Sequence, residues 1–200
     1  LASGNGHKLR EMRALFSRFV PDVELLPPDG IGGMPEVEES AETFVGNARL
    51  KARALHEAAP EDAWVLADDS GLEVDALDGR PGVHSARFAG PDADDAGNNR
   101  YLLKELESRK VEDRSARFHC ILVLIGPEGE FVFEGACEGE ILPEAKGSGG
   151  FGYDPLFRPE GHERTFAQLD AAEKNEISHR ARAVRQLASW LEERSDGRGT

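Results

Sequence analysis

An α/β fold is predicted by three observations. Amphipathic runs at helical spacing alternate with short apolar runs along a 200-residue chain whose hydrophobic fraction is 39%. The continuous apolar run Trp64-Val65-Leu66-Ala67 has the pattern of a strand covered on both faces, and it delivers Asp68 and Asp69 at its carboxyl end, where open α/β sheets place their ligands. Residues 117–125 and 130–141 read as two strands joined by Gly126-Pro127-Glu128-Gly129, a hairpin signal. The length suits one domain over residues 1–194, with a polar tail over 195–200 expected to be disordered.

Taken in order, Leu1-Ala2 reads as the end of a strand that begins before this numbering. Leu9, Met12, Phe16 and Phe19 recur at helical spacing, which predicts a helix over 6–19 closed by Pro21. Residues 23–26 are a short strand candidate before a Pro/Gly-rich loop. A second helix is expected over 41–58, with Ser40 as N-cap, Phe44, Ala48 and Leu55 on its buried side, and Pro60 beyond its end. After the acidic pair, the alternation over 71–77 predicts another extended piece. Residues 92–108 read as a helix with acidic residues near its start. The glycine-rich stretch 147–152 is a loop, and the last helix runs through Ile177, Ala181, Val184, Ala188 and Leu191.

Composition narrows the function. A formal net charge of −14 opposes broad binding to DNA or RNA, which gains affinity by neutralising phosphates with a basic surface. A phosphate-bearing ligand therefore needs a local cationic pocket. Apolar runs such as 121–125 are too short to span a bilayer and no charged-then-apolar leader is seen, so a soluble, cytoplasmic chain without a membrane partner is expected. Two cysteines, Cys120 and Cys137, do not make a disulfide framework.

Four constellations carry candidate chemistry. Ser3-Gly4-Asn5-Gly6-His7-Lys8 is a strand-to-helix turn whose backbone N–H groups suit phosphate, with Lys8 adding a point charge; an ordinary glycine turn capped by Asn5 explains the same residues. Asp68-Asp69-Ser70-Gly71 sets two carboxylates side by side, an arrangement that a divalent cation relieves and that a solvated acidic turn also accounts for. Phe151-Gly152-Tyr153-Asp154-Pro155 offers an aromatic for stacking on a base and a carboxylate for its edge, or a tight turn packed on the core. Lys174, Ser178, His179 and Arg180 place donors at the entry to the last helix, where Ser178 is equally an N-cap. Glu39 and Lys51, read alone, are a loop acid and a surface lysine.

The order and spacing of these blocks, with Thr43-Phe44, Asn47-Ala48, Lys51-Ala52 and the run from Pro81 to Arg87 between them, resemble the inosine triphosphate pyrophosphatase family, the non-canonical purine nucleoside triphosphate pyrophosphatases. The resemblance covers nearly the whole chain. It implies an elongated two-lobed α/β fold, with a central mixed, twisted sheet flanked by helices and a nucleotide cleft between the lobes, assembled as a homodimer. It implies Mg2+-dependent hydrolysis of the α–β phosphoanhydride of dITP, ITP or XTP to the monophosphate and pyrophosphate. Carried over by position, Ser3, Gly4, Asn5, Gly6, His7, Lys8 and Lys51 hold the triphosphate, Glu39 and Asp69 ligate magnesium, and Asp68 or Asp69 activates water. Ser70 also contacts the nucleotide. Phe151, Gly152, Tyr153, Asp154, Lys174, Ser178, His179 and Arg180 surround the base. Two departures stand out: Ser3 replaces threonine, and Gly46 stands where many bacterial members carry glutamate. A nucleotide sensor without hydrolysis and a pyrophosphatase for modified pyrimidine nucleotides are the rival readings.

Overall fold

The computed structural model describes residues 1–3 and 5–197. In chain order it contains α1 (Gly6–Phe19), α2 (Phe44–Ala58), β1 (Val65–Val74), α3 (Asp95–Ser108), β2 (Ser115–Gly126), β3 (Gly129–Ile141), β4 (Phe157–Pro159), α4 (Ala171–Ile177) and α5 (His179–Gly197), with four short 3-10 turns. The strands form one open sheet in the order β1-β2-β3-β4. Both pairing senses occur, since Ala2 bridges Ala67 in parallel and β3 pairs β4 antiparallel through Gly139–Pro159, Glu140–Arg158 and Ile141–Phe157. Among the described residues, no helix is long and apolar enough to cross a membrane.

The chain divides into two compact units, and β1, β2 and β3 each contribute to both. The first unit takes Leu1–Asp69, Cys120–Gly135 and α5. Its core joins Met12, Leu15 and Phe16 of α1 to Leu66, Leu122, Leu124 and Phe133 of the strands and to Val184 and Leu187 of α5. The apolar stripe of α1 thus finds the stripe of α5, the packing that stabilises helices too short to persist alone. Beside it Trp64, Phe131 and Trp190 pack ring against ring. At Gly135 the backbone of β3 runs so close to the first turn of α5 that a Cβ would collide with His179 O and Ala183 N. That approach fixes where α5 begins.

The second unit takes Ser70–His119 and Ala136–Ser178. Its core gathers Leu72, Val74 and Leu77, Leu102 and Leu106 of α3, Phe118 of β2, Ile141 of β3, and Phe157 and Phe166. The three phenylalanines pack with centroid separations of 4.8 to 5.8 Å, within the range of favourable aromatic pairs.

Several expectations change. The acidic pair does not end a strand: β1 runs unbroken from Val65 to Val74, joining the two expected extended pieces and leaving Asp68 and Asp69 in mid-strand. The second helix starts at Phe44 with Thr43, not Ser40, as N-cap, because Thr43 Oγ1 accepts from Gly46 N–H. Gly46 therefore lies in the first turn, not the helix interior. Residues 23–26 form no strand, since Leu25 O accepts from Arg13 Nε and Leu26 O from Leu1 N instead of joining a ladder. The last helix is two, broken at Ser178 by its extended backbone (φ −65°, ψ 157°). Finally, α5 continues through Gly197, so the first residues of the expected disordered tail are helical and the rest of that tail lies outside the described residues.

Candidate active site

Neighbouring residues on a strand point to opposite faces, so Asp68 and Asp69 meet different partners. Asp68, 1% exposed, is fully engaged within the first unit. Its Oδ1 accepts from Lys8 Nζ at 2.6 Å, and its Oδ2 accepts from Arg180 Nε at 3.2 Å and from Cys120 Sγ at 3.3 Å. Arg180 in turn donates from Nη1 to Glu11 Oε2 at 2.8 Å. Burial works against the charge on Arg180, but the carboxylates of Asp68 and Glu11 outweigh it and hold the guanidinium protonated. Asp68 is thereby a braced, paired carboxylate.

Asp69 is only half engaged. Its Oδ1 accepts from Lys51 Nζ at 2.7 Å, and the same ammonium lies 3.4 Å from Glu39 Oε1. Its Oδ2 is buried and has no hydrogen-bond partner in the structure. Burial pushes the Asp69 carboxyl above the usual carboxylate range; Lys51 and Lys8 pull it back in part, and Glu39 adds to the rise. Lys51 is held charged, because the pull of Asp69 and Glu39 exceeds the cost of its burial. An orphaned carboxylate oxygen in a protein interior is expensive and calls for a ligand.

Asp69 and Glu39 also fit a hard divalent cation, which takes oxygen donors and is commonly held by one or two carboxylates together with substrate phosphates. Among the described residues no group of three or more His, Cys, Asp or Glu side chains is arranged to hold a metal alone. Two carboxylates with a substrate supplying the remaining oxygens match that arrangement.

The second unit carries the aromatic loop. Asp154, 2% exposed, accepts through Oδ2 from Lys174 Nζ at 2.6 Å and from Phe151 N–H at 3.0 Å. The Lys174 ammonium also sits 5.3 Å from the centroid of the Phe151 ring, within cation–π range. Tyr153 is buried in the core, its hydroxyl donating to Ser85 O at 2.9 Å, and burial pushes its ionisation upward.

Comparison with known proteins identifies the family. A model of the Ham1 family matches residues 1–190. The chain belongs to the Ham1 family. It is 52% identical over 195 residues to a dITP/XTP pyrophosphatase of Opitutus terrae, covering 95% of this chain and 96% of the relative. A dITP/XTP pyrophosphatase of Halalkalibacterium halodurans is 45% identical, with 96% and 97% covered. A HAM1 protein structure from Coxiella burnetii superposes with a TM-score of 0.86 at 42% identity, covering 96% of each chain.

Within this Ham1 chain the residues singled out from sequence are not all placed alike. Asn5 is the N-cap of α1, its Oδ1 accepting from His7 and Lys8 N–H, so those two amides are satisfied by the cap. Ser3 Oγ accepts from Asn5 N–H, His7 Nδ1 lies 3.0 Å from Arg10 Nη2, and Gly6 opens α1. Gly4 lies outside the described residues. Of that turn, Lys8 is the side chain brought to the acidic pair. Lys51, far from a surface lysine, is buried against Asp69. Ser70 is a half-buried residue of β1. Of the expected donors, Lys174 pairs with Asp154 in the second unit, and His179 and Arg180 open α5 in the first. Tyr153 and Asp154 support the loop from below and leave Phe151, half-buried, as its aromatic face.

Glu11 and Cys120 are contacts of the Asp68–Arg180 pair that sequence reasoning did not place there. Glu11 follows Lys8 by three positions on α1, one turn along the same face, and that spacing was the available signal. Cys120 reads only as a core thiol until its Sγ is placed beside Asp68.

Proposed function

We propose that the chain hydrolyses deaminated purine nucleoside triphosphates, namely dITP, ITP and XTP, to the monophosphate and pyrophosphate, with Mg2+ as its cofactor. The observation that carries the reading is Asp69, a buried carboxylate with one oxygen tied to Lys51 and the other unpartnered. Relatives that are dITP/XTP pyrophosphatases over nearly their whole length support the substrate class.

In this reading Asp69 and Glu39 would hold the magnesium, which would supply electrostatic stabilisation of the phosphate oxygens and activation of water. Lys8 and Lys51 supply the cations that a triphosphate needs in a strongly acidic chain. Asp68 fixes Lys8 and Arg180 in place through its three donors. Asp69, through its open Oδ2, would act on the attacking water. Phe151 supplies a face for the base, and Lys174 strengthens that face through its charge. His179 would donate to the 6-carbonyl of hypoxanthine and xanthine, with Arg180 held beside it by Asp68 and Glu11, and an adenine amino group offers no acceptor there. The buried free thiols of Cys120 and Cys137 accord with a reducing cytoplasm. A homodimer completes the proposal; light scattering should then return twice the 21.8 kDa chain mass.

The substrate panel is the direct test. With magnesium, pyrophosphate release from dITP and XTP exceeds that from dATP and dGTP by about a hundredfold or more, as expected when buried polar groups go unpaired with the wrong base. Comparable rates on all four would remove the specificity claim, and binding without release would turn the reading to a sensor.

A pH dependence follows from the shifted carboxyl. A general base must be ionised, so kcat/KM falls as pH drops through the Asp69 pKa; in the metal-free protein burial sets that pKa above the ordinary value of about 4. The stability effect has the opposite sign. An acid whose folded pKa is raised binds its proton more readily folded than unfolded, so its contribution to stability is present on the acid side and lost as pH rises through the folded pKa. Activity thus fades with falling pH before the fold does, which parallel pH–rate and melting curves would check.

A further inference from the structure

We infer that Asn99 and Asp95 are positioning residues for the base-holding loop, acting by gripping both polar groups of the Gly152 peptide backbone. The inference deepens the proposed function and rests on its assignment of Phe151 to the base. Asp95 and Asn99 lie one turn apart on α3, so their side chains share a face. Asp95 Oδ2 accepts from Gly152 N–H at 2.7 Å, and Asn99 Nδ2 donates to Gly152 O at 2.8 Å. Gly152 adopts φ +61°, a left-handed conformation that turns the chain immediately after Phe151. A residue held at its N–H and its C=O by a single rigid helix face has little freedom, and Phe151 inherits that constraint through one peptide bond.

A second observation separates this from ordinary loop packing. Asn99 Oδ1 is buried and has no hydrogen-bond partner in the structure. The amide is therefore oriented to donate to Gly152 while its acceptor is left unsatisfied, an arrangement that weakens the fold locally. Local rules broken without a gain in stability mark functional positions. Asp95 is likewise not needed as the helix cap, because Asp94 accepts from Gly97 N–H and is the N-cap of α3.

The clamp serves the base and not the phosphates. Loosening it predicts a rise in KM with little change in kcat, and no change in binding of a ligand that has no base. The test measures dITP turnover for wild type, Asn99→Ala, Asn99→Asp and Asp95→Ala, together with inhibition by inorganic triphosphate. Losing one such hydrogen bond should raise KM for dITP about tenfold, with kcat within about threefold and the triphosphate inhibition constant unchanged. Asn99→Asp keeps the size and an acceptor but cannot donate, so it should lose as much as Asn99→Ala. An unchanged KM in Asn99→Asp or Asp95→Ala, or a parallel rise in KM and in the triphosphate constant, would overturn the inference. A wild type that fails to turn over dITP would instead overturn the function on which it rests.

Discussion

Asp69→Asn lowers kcat on dITP by about a thousandfold or more while the protein still melts cooperatively. Removing a positioned general base costs roughly a hundred- to ten-thousandfold, and in this protein the same carboxylate is also a proposed magnesium ligand. Asparagine keeps the shape, and its Oδ1 still accepts from Lys51 as Asp69 Oδ1 does at 2.7 Å. What it lacks is a charge and a basic oxygen at the unpartnered Oδ2 position. Single-turnover rates beside melting curves separate chemistry from folding. A variant with a near-normal rate would take Asp69 out of the reaction and return attention to Asp68, whose own oxygens are already bound by Lys8, Arg180 and Cys120.

Lys51→Met destabilises the first unit and disables it together. Lys51 is 8% exposed and is the cation shared by Asp69 and Glu39. Deleting one partner of a buried ion pair leaves the other uncompensated, which costs about 3–5 kcal/mol. In a chain of this size that corresponds to a fall in Tm of about 10 °C. Asp69 loses its strongest source of stabilised charge, so its carboxyl rises further and the acid limb of kcat/KM moves to higher pH, a shift that a mere loss of phosphate affinity would not produce. Calorimetry and a pH–rate profile check both parts. An unchanged acid limb would show that Lys51 does not govern the state of Asp69.

Much of the architecture was legible because it rests on local patterns. The stripe Leu9, Met12, Phe16 and Phe19 gave α1 its bounds, Gly6–Phe19, and the Gly-Pro-Glu-Gly turn gave the β2–β3 hairpin. The misreadings came where long-range partners outvoted local signals. An acidic pair reads as the end of a strand because unpaired carboxylates are not expected in mid-sheet, but Lys8, Arg180 and Lys51, 60, 112 and 18 residues away, neutralise it there. Short β4 had no periodicity to reveal it. Ser178 was open to two readings, helix interior and N-cap, and its extended backbone makes it the break between α4 and α5. The candidate site was legible as a set of residue types in order, not as a set of contacts. Sequence left open whether Asp68 or Asp69 is the base and favoured Asp69 as the metal ligand, whereas their partners distinguish a braced carboxylate from one with an open oxygen.

The central claim concerns which bond breaks. Purified protein, magnesium and dITP, with products resolved by phosphorus NMR, decide it most directly. Cleavage at the α–β linkage gives dIMP and pyrophosphate in equal amounts, with one oxygen of labelled solvent water entering one of the two products per turnover. Formation of dIDP and orthophosphate would contradict it.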